Sequence, residues 1–102
     1  MPDTLKKDRV PTVEFYKRND EDIGGEITVI VFDARRTLTK NQLSEVVQKL
    51  TKTMPFGVYD GIHDPPEFFA TGVAFKTIES NLNPDYLPLL RTVFAKILST
   101  LA

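Results

Sequence analysis

Glu26-Ile27-Thr28-Val29-Ile30-Val31-Phe32 is the stretch on which the fold turns. Five consecutive positions, Ile27 to Val31, are β-branched, which favours an extended backbone. Alternate residues of a strand point to opposite faces, and here both faces are largely apolar. The segment therefore reads as a central strand covered on both sides. Upstream, Thr12-Val13-Glu14-Phe15-Tyr16-Lys17 alternates, with Val13 and Phe15 on one side, and Pro11 suits the start of a strand or an edge. Between the two strands lies the polar run Asn19 to Asp22, ending in Gly24-Gly25, so the pair reads as a hairpin.

Downstream, Thr39 and Gln42 have the spacing of a capping box, in which two helix N–H groups are satisfied reciprocally. Leu38 and Leu43 make the matching hydrophobic staple. Leu43, Val46, Val47, Leu50 and Met54 then form one apolar stripe, and Pro55 stops the helix. Phe56 to Tyr59 is a candidate short strand, followed by the turn pair Asp60-Gly61 and a loop containing Pro65-Pro66. Phe68 to Ile78 reads as one long strand, with Phe69, Val73 and Phe75 on one face and Ala70, Gly72 and Ala74 on the other.

A second amphipathic helix carries Leu87, Leu90, Phe94, Ile97, Leu98 and Leu101. Capping it at Asp85 rather than Asn83 keeps Pro88 in the first turn, where no intrahelical donor is needed. The order is thus strand, strand, helix, an optional strand, strand, helix. It predicts an α+β two-layer sandwich: a mixed or antiparallel sheet of three or four strands with two helices on one face.

The 102 residues suit one domain, read as residues 10–102 behind a flexible arm, residues 1–9. A composition of 41% hydrophobic and 26% charged residues supports a globular core. Thirteen basic and fourteen acidic residues leave a formal charge of −1, without the basic excess of a dedicated nucleic-acid binder. The absence of cysteine removes disulfides, thiolate catalysis and cysteine-type zinc sites. The longest unbroken apolar run is Val29 to Phe32, far too short for a membrane span. With no visible secretory signal and no glycosylation acceptor, the expectation is a cytoplasmic protein without a membrane association.

Candidate chemistry is sparse. The single histidine, His63, neighbours Asp60, Asp64 and Glu67, residue types that serve as general bases or metal ligands. Their spacing matches no metal signature, and each explains itself as loop chemistry. Asp20-Glu21-Asp22 fails the calcium-loop pattern, since the glycine is misplaced and no glutamate closes the loop. None of Ser44, Ser80 and Ser99 lies in a nucleophile elbow. No cofactor is expected, and an enzyme is the lesser reading.

Lys17, Arg18, Arg35, Arg36 and Lys76, interleaved with Phe15, Tyr16 and Phe75, are candidates for a basic strip that stacks nucleic-acid bases. The stronger expectation concerns the sheet. Two helices cover one face, yet the central strand is apolar on both, and an uncovered apolar face ordinarily meets something. Ile30, Phe32, Phe69, Val73 and Phe75 are expected on that uncovered side, to be met by the N-terminal arm or, as the favoured reading, to serve as an interface for another protein or a second copy of the chain.

Overall fold

A computed structural model describes residues 10–101, so the expected arm, residues 1–9, lies outside the described residues. The elements are β1 (Thr12–Asp20), β2 (Gly25–Asp33), α1 (Lys40–Thr53), α2 (Phe56–Tyr59), β3 (Glu67–Phe69), β4 (Gly72–Thr77) and α3 (Tyr86–Ser99). They form a four-stranded sheet of order β1-β2-β4-β3, in which every neighbouring pair is antiparallel. Both long helices lie on one face. This is the expected α+β sandwich, with an antiparallel rather than mixed sheet.

β1 and β2 are joined by a tight tip. The Asp20 carboxylate accepts from the Asp22 and Ile23 N–H groups, and Gly24 takes a φ of 79° that glycine adopts without steric cost. β2 is central, as its composition predicts. Its register sets Val13 opposite Phe32, Phe15 opposite Ile30, Ile30 opposite Phe75 and Phe32 opposite Val73. These side chains share one face, and α1 and α3 pack over it through Leu43, Val46, Leu50, Leu90, Phe94 and Ile97. Phe32 lies at the centre, its ring edge-on to Phe75 and to Phe94 at 5.7 and 5.4 Å, a favoured aromatic geometry.

α1 begins where the capping box predicts: Thr39 Oγ1 accepts from Gln42 N–H, and Gln42 Oε1 accepts from Thr39 N–H. α3 begins at Tyr86 after Asp85, but the Asp85 side chain caps nothing. Asn83 does that work instead, its side chain accepting from Asp85 N–H and its carbonyl from Tyr86 N–H. Pro88 is the third helical residue, where no intrahelical donor is missed.

Two expectations about the strands need correction. Phe56–Tyr59 is a single helical turn, with Tyr59 N–H bonded to the Pro55 carbonyl and Asp60 N–H to that of Phe56. The fourth strand comes instead from the segment read as one long strand, which folds back at Ala70-Thr71 into the hairpin β3–β4, Phe69 opposite Gly72. The carbonyls of Thr71 and Ala70 accept from Ala34 and Leu38 N–H, so the chain leaving β2 holds the turn in place. Gly72 is required there: a Cβ would stand 1.9 Å from the Phe32 carbonyl oxygen.

Candidate functional site: the open face of the sheet

The face expected to be open is the one the helices cover. Ile30, Phe32 and Val73 have no exposed surface, and Phe75 retains 4%. All four belong to the core beneath α1 and α3. Two physical reasons account for the inversion. Because both rows of β2 are apolar, its pattern does not say which row the helices take. The two-residue turn at Ala70-Thr71 also reverses phase, so Phe69 shares Gly72's row rather than that of Val73 and Phe75. Phe69 is half-buried at the sheet edge, beside a shallow cleft of about 410 Å³ lined by Leu43, Ser44 and the half-exposed Phe68.

The open face is the other row. The register gathers Glu14, Tyr16 and Arg18 from β1, Ile27, Val29, Val31 and Asp33 from β2, Ala74 and Lys76 from β4, and Glu67 with the predicted Phe69 from β3. Val29, Val31 and Ala74 are half-buried with no helix over them, and Tyr16 is 50% exposed. Charged groups frame this apolar centre. Lys76 Nζ lies 3.7 Å from a carboxylate oxygen of Asp20 and equally far from one of Asp64. Lys76 is opposite Val29 and Asp20 opposite Gly25, so their ion pair crosses β2 at Ile27. Ile27 itself has no exposed surface, although it stands outside the helix-covered core.

On the same face the Tyr16 hydroxyl donates to the Glu14 carboxylate. This hydrogen bond, with partial desolvation and the negative charges of Glu14 and Asp33, holds the tyrosine pKa above the ordinary phenol value.

The basic candidates do not come together. Lys17 is on the helix-side row, where its Nζ donates to Asn81 at 2.9 Å. Arg18 faces the open side opposite Ile27, and Lys76 stands between two carboxylates. Arg35 and Arg36 follow the far end of β2, whose last residue Asp33 lies about 20 Å along the strand from Arg18's partner Ile27. Arg35 takes a φ of 60°, with its N–H bonded to the Asp33 side chain. The five form no strip.

His63 is exposed, in the loop between α2 and β3, beside a cleft of about 250 Å³ that Val47, Met54 and Phe75 floor. Among the described residues no three His, Asp or Glu side chains are placed to hold a metal ion. Asp64 turns away to Lys76, and the Asp20 carboxylate holds its own turn. Sequence reasoning missed the Asp20–Lys76–Asp64 bridge and the Phe68 cleft, for neither leaves a local spacing signal.

No helix among the described residues is long and apolar enough to cross a membrane. Comparisons with protein-family models, curated proteins and solved structures returned no match for this chain.

Proposed function

We propose that the protein is a non-enzymatic binding module that takes another protein on the open face of its sheet. The observation that carries this reading is the arrangement of that face. Val29, Val31, Ala74 and the ring of Tyr16 make an apolar centre, with Glu14, Arg18, Asp33 and Lys76 at its margin. An apolar middle with a polar rim is the anatomy of protein interfaces, and exposed tyrosines are over-represented among residues that dominate binding. The cysteine-free composition fits a reducing, cytoplasmic setting for such a module.

The test is side-by-side capture from lysate of the source cells, after nuclease treatment, with the tagged chain and its Val31→Lys variant. Val31 is half-buried, and a lysine there can carry its ammonium to solvent, so the fold survives. A stoichiometric protein held by the native chain and lost with Val31→Lys is the expected outcome. Equal retention by both overturns the reading, and thermal unfolding of the variant confirms that it is folded.

A further inference from the structure

The two edges of the sheet are built differently. β3 is three residues long, follows Pro65-Pro66, and is preceded by a loop that folds back to bridge Ile62 with Thr77. Shortness and proline are the usual protections of an edge against pairing with another chain. β1 has neither. It runs nine residues, Thr12 to Asp20, in unbroken register with β2, without a bulge, a proline or a glycine. Glu14, Tyr16, Lys17, Arg18 and Asn19 are exposed, and β1 has no strand partner on its outer side among the described residues.

Charges on an edge ordinarily block pairing, but their order matters. Two copies of β1 related by a twofold axis normal to the sheet pair antiparallel, each residue opposite one of the same row. Centring the axis on Glu14, Lys17 or Arg18 sets like charges face to face. Centring it on Phe15 pairs no charge with a charge. With Tyr16 on the axis, Glu14 of each copy stands opposite Arg18 of the other, Tyr16 faces Tyr16, and Thr12 faces Asp20. Neither Glu14 nor Arg18 has an ion-pair partner among the described residues of its own chain.

We infer that a second copy of this chain adds to the free edge of β1, antiparallel and centred on Tyr16, to give one continuous eight-stranded sheet. Sheets of that breadth are common. The twofold keeps both helix layers on one side, and it joins the two open faces across the paired tyrosines. The inference concerns the strand's edge and does not rest on the partner-binding reading of the face.

The chain has no cysteine, so single cysteines report the register directly. Directly opposite residues of antiparallel strands have Cα atoms about 4.5–5.5 Å apart, within disulfide reach. Tyr16→Cys is expected to form a covalent dimer under mild oxidation. Glu14→Cys and Arg18→Cys, each about 13 Å from its own copy, do so only when mixed with one another. Cross-linking of Glu14→Cys with Tyr16→Cys in preference would mark the Phe15-centred register and overturn this one. Sedimentation equilibrium gives the energetic arm. Glu14→Arg and Arg18→Glu are each expected to weaken the dimer about tenfold, while the double reversal restores it to within about threefold. Both residues are exposed, and the cysteine arm stands even if one reversal fails to fold. A native chain monomeric at about 1 mM, or reversals without reciprocal rescue, overturns the inference.

Discussion

Phe32 and Val31 are neighbours in the chain and opposites in the molecule. Phe32 has no exposed surface and meets the rings of Phe75 and Phe94, whereas Val31 is half-buried on a face no helix covers. Both are apolar and both sit on the central strand, so hydropathy does not separate them. The difference is what lies across the sheet from each. On one face two amphipathic helices exclude water from the β2 side chains. On the other, flanking side chains and the Lys76–Asp20 ion pair leave Ile27 without exposed surface but Val29 and Val31 only half-buried. Burial on this sheet is a property of the layer above a residue, and the same residue type does different work on each side.

The largest effect that can break this comparison is truncation of its buried half. Phe32→Ala is expected to destabilise the fold by about 4 kcal/mol, and Val31→Ala by about 1 kcal/mol, measured by urea unfolding. Equal losses would mean that the two faces are equally covered. For a domain whose total stability is typically about 5–15 kcal/mol, Phe32→Ala approaches outright unfolding.

Gly72→Ala sharpens the comparison, because Gly72 shares the open-face row yet is not tolerant of change. Its added methyl would press on the Phe32 carbonyl oxygen, and a loss of about 3 kcal/mol in thermal or urea unfolding is expected. A neutral outcome would show that β2 and β4 separate there without cost. Thr39→Ala tests the helix layer at a distance from both faces. Removing the hydroxyl frees the Gln42 N–H at the start of α1, for an expected loss of about 1 kcal/mol.

The smallest effect belongs to the open face alone. The hydrogen bond to Glu14 raises the folded-state pKa of Tyr16, so its stabilising contribution is present below the unfolded phenol value of about 10. It is lost as pH rises through the folded value. An absorbance titration should find Tyr16 ionising late, and Glu14→Gln should bring its transition back toward the ordinary phenol value. Unchanged titration in that variant would remove Glu14 as the cause.

Much of this was legible because it is local. The capping box at Thr39 and Gln42, the stripe from Leu43 to Met54 and the stop at Pro55 are relations between residues within one or two turns. The alternation of β1 and the β-branched run of β2 are equally short-ranged, and the structure has both strands. Phe56–Tyr59 was ambiguous because four residues are too few to distinguish a strand from a helical turn. The β3–β4 hairpin was hidden because Ala70-Thr71 carries no asparagine or glycine turn signal. Its turn is fixed by N–H groups of Ala34 and Leu38, far away in sequence. The site suffered from both problems: the apolar face was foreseen, but Ile30, Phe32, Val73 and Phe75 were assigned to the wrong row, and of the five residues Phe69 alone shares the open one.

The sequence by itself determined that the chain makes an α+β sandwich, where its long helices begin and where α1 ends, and that β2 lies inside the sheet; α3 stops at Ser99, short of Leu101 in its expected stripe. Those follow from side-chain periodicity and capping, whose partners lie within a few residues of one another. Tertiary structure alone decided which row of β2 the helices cover, that Phe69 falls out of phase with Val73 and Phe75, and that Lys76 meets Asp20 and Asp64. The period of a strand states only that two rows exist. Choosing between two apolar rows is a matter of how the whole chain packs.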